Sequence, residues 1–261
     1  MQNPSFDGIA RLLGTRELEI LRRSRIMVIG LGGVGSWVVE GLARSGLGAI
    51  DLVDLDDICQ SNINRQLPAL TGTIGLPKAE VLAERCRSIN PDLRAEPRLT
   101  YYSATNSSHL LSLPPDLVVD AIDSMAHKTH LLATCRNAGI PVITTGGGGG
   151  KTLPELITVC DLAETRNDPL LARTRKVLRQ KHHFPRKIGQ RFRIPTIYSP
   201  ELPRYPAADG STSLCKPPAD PTRGTRLDCA GGLGAASFVT GTMGFIASSV
   251  AIRRLLAHKL P

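Results

Sequence analysis

Aromatic residues are scarce in this sequence, because Phe, Tyr and Trp make up only 4% of its 261 residues. That scarcity favours an aliphatic α/β core over an all-β fold, whose strands are enriched in aromatic side chains. The chain has six cysteines but no C-x-x-C pair, and its first residues contain no apolar signal region. These absences argue against a paired-cysteine zinc site, a disulfide framework and a secretory signal. We therefore expect a cytoplasmic protein.

Acidic residues are also missing from one long stretch, Pro169 to Pro200. The chain carries 32 basic and 23 acidic residues, for a net charge of +9. Nine of the basic residues fall in this stretch: Arg173, Arg175, Lys176, Arg179, Lys181, Arg186, Lys187, Arg191 and Arg193. Without them the chain is formally neutral. Such a local cluster predicts a polyanionic partner, and the interleaved rings of His182, His183, Phe184 and Phe192 are candidates for stacking on bases.

The order of apolar runs predicts an α/β fold. From Arg25 onward, short apolar runs alternate with amphipathic segments, a pattern typical of a doubly wound, Rossmann-like and mainly parallel sheet. We predict one domain over 1–261, with a nucleotide-binding core at 5–160. Residues 165–227 resist assignment and are interpreted as an irregular basic insert that contacts RNA. Residues 229–260 are predicted to form a C-terminal apolar helical segment.

The stretch from Cys229 to Ile252 contains no charged residue, so its length permits a membrane span. It also contains five glycines. This composition favours a closely packed core or interface helix over membrane association. We expect no stable insertion into a membrane.

A glycine motif follows the first predicted strand, in the sequence "IMVIGLGGVGSW". Gly30, Gly32 and Gly35 form G-x-G-x-x-G, with Gly33 between them. These glycines allow a tight turn and a close approach of the backbone to phosphates. Asp54 ends the second strand, where a carboxylate can hold a ribose, and Asp56 follows it. NAD and ATP both satisfy this pattern.

The residues after Asp56 distinguish the two nucleotides. The stretches "DLDDICQSNINRQ" and "GLPKAE" supply two cations, Arg65 and Lys78, and two polar donors, Asn62 and Gln66. Such groups stabilise the negative charge that develops when an α-phosphate is attacked. Asp120 and Asp123 follow the fourth strand, where a carboxylate is well placed to hold Mg²⁺. The set favours nucleotidyl transfer over hydride transfer.

The motifs "GLGGVGSW", "DLDDICQSNINRQ", "GLPKAE", "VVDAIDS" and "TTGGGGG" occur in an order that resembles the ATP-dependent adenylating enzymes related to ubiquitin-activating enzymes. The resemblance implies that Asp54 holds the ribose, that Arg65 and Lys78 hold phosphates, and that Asp123 holds the magnesium ion. It also implies a homodimer, because Arg11 matches an arginine that reaches the partner subunit's phosphates. A bound monovalent cation is left open.

Three further stretches, "FDGIARLLG", "YPAADGS" and "RLDCAGGLGAASFVTGTMGF", resemble the family members that modify tRNA. The resemblance implies adenylation of the threonyl carboxylate of N6-threonylcarbamoyladenosine at tRNA position 37, followed by cyclisation. The alternatives are an adenylyltransferase for the C-terminus of a ubiquitin-like sulfur-carrier protein, an NAD-dependent oxidoreductase and a non-catalytic RNA-binding module. Cys229 is an auxiliary candidate, although a small buried residue is favoured there. A sulfur-transfer protein of a cysteine desulfurase system is a possible partner.

Overall fold

We describe the fold from a computed structural model, in which residues 4–187, 189–207, 209–215 and 233–259 are described. Its strands are β1 Arg25–Ile29, β2 Ala49–Val53, β3 Arg94–Arg98, β4 Leu117–Asp120, β5 Val142–Thr145, β6 Thr158–Asp161, β7 Pro195–Tyr198, β8 Tyr205–Pro206 and β9 Thr212–Ser213. Its helices are α1 Asp7–Leu13, α2 Thr15–Arg22, α3 Gly35–Ala43, α4 Lys78–Ile89, α5 Ser107–Leu110, α6 Met125–Asn137, α7 Pro169–Lys181 and α8 Ser237–Lys259. Short 3-10 helices span Pro4–Phe6, Gln60–Asn62, Thr71–Thr73, Pro154–Leu156 and Leu162–Glu164.

The main sheet has seven strands in the order β3-β2-β1-β4-β5-β7-β6. All neighbouring pairs are parallel except β6 and β7, which run antiparallel. The order of the strands reverses between β1 and β4. In open α/β sheets, ligands bind at such a switch point, outside the carboxyl ends of the strands. The predicted doubly wound, mainly parallel fold is therefore confirmed, and its topology indicates where a ligand binds.

The central strands are buried along their whole length because helices cover both faces of the sheet. Every residue of β2 and of β4 is buried. Strand β3 contains Pro97, which cannot donate a backbone hydrogen bond, and β3 is the edge strand that pairs only with β2. The edge position explains how the sheet accommodates a proline.

Helix α8 packs against α3 and forms part of the main core. Small residues allow the two helices to approach closely: a Cβ atom added at Gly41 would lie 2.3 Å from Ser248 Oγ, and one at Gly244 would lie 2.4 Å from Trp37 Cβ. The prediction of a closely packed apolar helix is confirmed. Among the helices in the described ranges, none is long and apolar enough to cross a membrane.

The segment 165–227 is more regular than the sequence indicated. Helix α7 begins after Asp168, whose carboxylate accepts a hydrogen bond from the N–H of Leu171 at 2.9 Å, and Pro169 occupies the first turn. Strand β7 then enters the main sheet between β5 and β6. The irregular part of the described segment lies between α7 and β7 and after β7. Residues 216–232 lie outside the described residues.

Candidate functional site: a nucleotide site at the switch point of the sheet

The glycine loop joins β1 to α3 at the switch point of the sheet. Gly30 has a φ of +88°, which favours glycine, and a Cβ atom added there would lie 2.7 Å from the carbonyl oxygen of Ala121. A Cβ atom added at Gly35 would lie 1.8 Å from the carbonyl oxygen of Gly30. The first and third glycines of the motif therefore allow close packing of the loop against the end of β4 and the start of α3.

The middle of the loop is open, in contrast to its ends. A Cβ atom added at Gly32 would meet only Gln66 Nε2, at 3.9 Å. Gln66 is buried, and its Oε1 has no hydrogen-bond partner within the described residues. A buried amide oxygen without a partner costs free energy unless a ligand or water completes it. An open backbone turn beside an incomplete polar group therefore fits a nucleotide. Gly33, next in the chain, lies against Thr240 of α8.

Asp54 fixes this loop to the end of β2. Its carboxylate accepts hydrogen bonds from the N–H groups of Leu31, at 2.6 Å, and of Asp56, at 2.9 Å. Burial raises the pKa of Asp54, although both backbone hydrogen bonds oppose this shift. The glycine loop therefore orients the Asp54 carboxylate, which is predicted to bind the ribose.

Asp56 and Lys78 form an ion pair beside Asp54. The Lys78 ammonium, whose side chain is 6% exposed, donates to Asp56 Oδ2 at 2.8 Å. The Tyr101 hydroxyl donates to the other oxygen of Asp56. Burial works against ionisation of Asp56, but the hydrogen bonds from Lys78 and Tyr101 outweigh burial and lower its pKa. The network keeps a positively charged lysine beside the glycine loop.

We expect the hydroxyl of Tyr101 to ionise at unusually high pH. Its hydrogen bond to Asp56 is the main cause, and nearby carboxylates, including Asp123, add to it, raising the pKa of Tyr101 from 10.0 to about 12. Because the folded-state pKa is raised, the stabilisation is complete below pH 10 and is lost as the pH rises through about 12. An alkaline titration that compares the tyrosinate absorbance of the wild type with that of Tyr101→Phe measures this pKa. Asp56→Asn is expected to lower it, and ionisation near 10 in the wild type would contradict the network.

The segment after β2 carries two further predicted residues, Asn62 and Arg65. The buried Asn62 accepts a hydrogen bond from Cys59 N at 3.1 Å through its amide oxygen, which leaves its amide nitrogen as a donor. The carbonyl oxygen of Arg65 accepts from Trp37 Nε1 at 3.0 Å and from Thr240 Oγ1 at 3.1 Å. The guanidinium of Arg65 donates only to Ser61 O and Asn64 Oδ1, which are exposed neighbours. The Arg65 backbone is therefore fixed, while its charge has no acidic partner in the described residues.

The two carboxylates after β4 differ in their environments. Asp120 is fully buried, and its Oδ2 accepts from Lys128 Nζ at 2.8 Å and from Thr144 Oγ1 at 2.6 Å. The expectation that Asp120 can hold a metal is therefore wrong, because a buried ammonium already compensates its charge. Asp123 is exposed, and its charge acts on Tyr101. No group of three potential metal ligands occurs in the described part of the chain, but Mg²⁺ commonly needs only one or two carboxylates together with substrate phosphates.

Arg11 lies away from this cluster. It is exposed in the last turn of α1, which packs on α2 before the start of β1. No hydrogen bond or ion pair among the described residues joins Arg11 to the site. Within one protomer, therefore, no such contact among the described residues joins Arg11 to the glycine loop.

Some cations of the basic stretch contact other groups of the protein, and most of them are exposed to solvent. Arg175 is half-buried and donates to Thr165 Oγ1, and burial is the main cause that lowers its pKa. Arg179 lies over the Phe192 ring at 5.0 Å, and Arg191 pairs with Glu164 at 2.9 Å. The exposed cations of the stretch are Arg173, Lys176, Lys181, Arg186, Lys187, Arg191 and Arg193.

The two phenylalanines of this stretch do not reach solvent. Phe184 and Phe192 are buried, with ring centroids 4.9 Å apart in an edge-to-face arrangement. The expectation that they stack on bases is therefore wrong. They are the core contacts that hold the end of α7 and the following loop against the domain.

Lys151 follows the glycine run 146–150, and its role was not predicted. It is buried, and its ammonium donates to the carbonyl oxygens of Asn167 and Glu201. Burial lowers its pKa, while the charges of Asp168 and Glu201 oppose that shift. A lone lysine after five glycines gives no sequence signal of burial. Cys229, the auxiliary candidate, lies outside the described residues.

These features define a nucleotide-binding α/β protein. A glycine loop and a cluster of acidic and basic side chains lie together at the switch point of its sheet. The chain belongs to the ThiF family, which matches residues 7–261. It is 43% identical over 252 residues to the tRNA threonylcarbamoyladenosine dehydratase of Escherichia coli strain K12, a match that covers 97% of this chain and 93% of the relative.

Two further relatives support the same comparison. The Haemophilus influenzae protein of the same name is 45% identical over 254 residues, covering 97% of this chain and 94% of that protein. The crystal structure of the E. coli enzyme in complex with ATP superposes with a TM-score of 0.86 at 39% identity, covering 98% of this chain and 95% of that one. The family resemblance inferred from the motifs is confirmed.

Proposed function

We propose that this protein is an ATP-dependent enzyme that cyclises N6-threonylcarbamoyladenosine at position 37 of tRNA by adenylating its threonyl carboxylate. The observation that carries the proposal is the site itself. An open glycine loop with an incomplete buried amide, Gln66, lies beside two cations, Arg65 and Lys78, at the switch point of the sheet. Near full-length similarity to tRNA-modifying relatives supports the choice of substrate.

ATP would lie along the glycine loop with its ribose at Asp54. Backbone N–H groups at the start of α3 favour negative charge, so the phosphates belong there. Gln66 and Asn62 would complete their hydrogen bonding on the nucleotide, while Arg65 and Lys78 would stabilise the charge of the phosphates. Lys78 would then contact the phosphates either in place of Asp56 or together with it.

A magnesium ion would be held by Asp123 together with the phosphates. Asp123 is the exposed carboxylate at the end of β4, whereas Asp120 is occupied by Lys128. The ion would supply charge neutralisation at the phosphate oxygens.

The reaction would proceed in two displacements. A carboxylate oxygen of the threonyl group attacks the α-phosphorus, the bond to the β-phosphate oxygen breaks, and pyrophosphate leaves. A nitrogen of the same modification then attacks the activated carbonyl carbon, loses its proton and expels AMP, which closes a five-membered ring. The RNA loses the elements of one water. Because the attack is intramolecular, orientation supplies much of the rate enhancement, and no protein nucleophile is needed.

Mass spectrometry tests this function directly. The protein is incubated with ATP, Mg²⁺ and threonylcarbamoyl-modified tRNA, and the digested nucleoside is weighed. We expect the loss of one water, dependent on ATP. An unchanged nucleoside with intact tRNA binding would contradict the proposal and favour activation of a ubiquitin-like sulfur carrier, for which ATP–pyrophosphate exchange with carrier proteins is the assay.

The basic stretch is proposed to bind tRNA phosphates, largely without reading sequence. We expect the double variant Lys176→Ala and Lys181→Ala to bind tRNA more weakly and to lower the slope of log affinity against log salt by about one to two. Filter binding over a salt series measures this slope. The control removes two exposed arginines elsewhere, Arg23→Ala and Arg94→Ala, and an equal loss of slope in the control would refute the assignment.

A homodimer is proposed, because Arg11 would act in the site of the partner subunit. We expect Arg11→Ala and Arg65→Ala each to be inactive, and an equal mixture to recover about a quarter of wild-type activity, since half of the dimers are mixed and each has one intact site. The mixture must be refolded or co-expressed so that subunits exchange. No recovery in mixed dimers that are demonstrated to form would show that Arg11 acts within its own subunit, and an active Arg11→Ala protein would show that Arg11 has no role in the reaction.

Other assignments complete the proposal. We propose a cytoplasmic location, a single adenylating domain over 1–261 and an auxiliary site for a monovalent cation. The remaining partner proposal is the docking of a sulfur-transfer protein, for which Cys229 is the candidate residue.

A further inference from the structure

An open pocket of about 310 Å³ lies outside the nucleotide site, between the start of α7 and the segment after β7. Its walls include Asp168, Ala172, Leu202, Pro203, Tyr205 and Leu214. This volume is at the lower end of the range for small-molecule sites, which is about 300–1,000 Å³. None of the predicted site residues lines it.

The walls of the pocket are held in place by polar contacts. Lys151 donates to the carbonyl oxygens of Asn167 and Glu201 and thereby joins the two segments that form the pocket. Asn167 Nδ2 also donates to Pro200 O at 2.8 Å, and Arg204 N donates to Gly150 O at 2.8 Å. These bonds show a pocket with fixed walls.

The lining is mainly apolar and includes one aromatic ring. Leu202 and Leu214 are 52% and 56% exposed, although leucine side chains gain free energy by burial. Asp168 is the acidic group of the lining, and its two oxygens accept hydrogen bonds from Leu171 N and Gly147 N. The pocket therefore suits a flat, uncharged and largely apolar group that stacks on Tyr205.

The surroundings of the pocket are positively charged. Each wall segment carries an exposed arginine next to a lining residue: Arg166 precedes Asn167, Arg173 follows Ala172, and Arg204 follows Pro203. Asp209 is the exposed acid in the turn between β8 and β9, and it accepts hydrogen bonds from Ser211. A ligand with an uncharged flat part and an anionic backbone matches this combination.

We infer that this pocket holds a nucleobase of the bound tRNA that has turned out of its stack, with the flanking phosphates on Arg166, Arg173 and Arg204. Proteins that recognise single-stranded loops commonly stack unstacked bases on aromatic side chains. The inference rests on the proposed function for its partner. It adds a second contact with RNA that is distinct from the adenylation site.

The pocket is connected to the nucleotide site through the glycine run. Asp168, in the pocket wall, accepts from Gly147 N at 2.9 Å, and a Cβ atom added at Gly148 would lie 3.9 Å from Val34 of the glycine loop. A base in the pocket would therefore lie on the far side of residues 146–150 from ATP. Its capture would fix the RNA relative to the reacting carboxylate.

A bulky side chain in the pocket tests the inference. Ala172→Trp places an indole at an exposed lining position of α7, and Ala138→Trp makes the same change at the exposed C-cap of α6, outside both the lining and the basic stretch. We expect Ala172→Trp to raise the KM for modified tRNA at least 10-fold, while the Kd for ATP and the melting temperature stay within the range of the control. Equal KM values in the two variants would overturn the inference.

Fluorescence identifies the occupant. Anticodon stem-loop RNAs carrying 2-aminopurine at one loop position at a time are titrated with each protein, because 2-aminopurine brightens when it leaves the stack. We expect at least one position to brighten with the wild type and with Ala138→Trp, and not with saturating Ala172→Trp. If every position that brightens with the wild type also brightens with Ala172→Trp, the pocket is not the base site. An RNA response that Ala172→Trp leaves unaffected would point to a protein as the ligand of the pocket instead.

These outcomes are distinguishable from failure of the proposed function. If the wild type removes water from the nucleoside but Ala172→Trp behaves as the control does, only the pocket inference fails. If the wild type binds RNA without converting the nucleoside, the proposed reaction fails whatever the fluorescence shows.

Discussion

Replacing Arg65 with alanine is expected to lower kcat/KM for the ATP-dependent reaction by about 10²–10³-fold, the usual effect of removing one group that stabilises transition-state charge. The side chain lies beside the glycine loop, and its guanidinium has no carboxylate partner among the described residues. The charge is therefore available to phosphates. Steady-state conversion of modified tRNA with saturating ATP measures the effect.

Arg65→Ala is a clean test because the backbone carries the structural contacts of this residue. The Arg65 carbonyl oxygen accepts from Trp37 and Thr240, and alanine keeps that carbonyl. The melting temperature should therefore change little. Arg94→Ala, at an exposed position of the edge strand β3, is the matched control and should keep full activity. Activity within threefold of the wild type in Arg65→Ala would exclude a phosphate role.

The second large effect is expected on stability. Lys128→Met should lower the free energy of unfolding by about 3–5 kcal/mol, because it leaves the Asp120 carboxylate buried without its counter-charge. Both side chains are 0% exposed and the ion pair is 2.8 Å long. Thr144 still donates to Asp120, but a hydroxyl does not neutralise a charge. Urea unfolding of the wild type and of Lys128→Met measures the loss, compared at the same slope of unfolding free energy against urea concentration.

A double variant separates the unpaired charge from lost packing. Asp120→Asn combined with Lys128→Met removes the charge, and we expect it to recover part of the stability that Lys128→Met loses. A cavity effect alone would leave the double variant no more stable than the single one. Arg44→Ala, which breaks the partly exposed pair with Glu40, should cost no more than about 1 kcal/mol.

Much of the sheet could be predicted from the sequence because its central strands are short, mainly apolar runs and its first loop contains glycine at the required places. The runs over β1, β2 and β4 and the glycines at 30 and 35 each have a local physical cause. Strand β7 could not be predicted in the same way. Its four residues lie among prolines and arginines, and its place between β5 and β6 depends on pairing with distant partners.

The site shows the same division between local and distant causes. Gly32, Asp54, Arg65 and Lys78 can be proposed from the sequence because each stands in a short motif whose residues lie close together in the chain. Asp120 and Phe184 were misinterpreted because burial decides their roles, and burial comes from the packing of α6 and α7. Nothing in the sequence shows that Tyr101, three residues after β3, reaches Asp56.

Helix α8 has a consequence for how the protein is made. It follows β1 to β7 in the chain, yet it covers α3 and contacts β4, β5 and β7, and its Thr240 holds the Arg65 carbonyl. Chains generally emerge from the ribosome starting at the amino end, so the apolar face of α3 has no cover until α8 has emerged. The nascent protein therefore completes its core and the cluster at the switch point only once α8 is available, and a chain truncated before residue 237 would expose that face to aggregation.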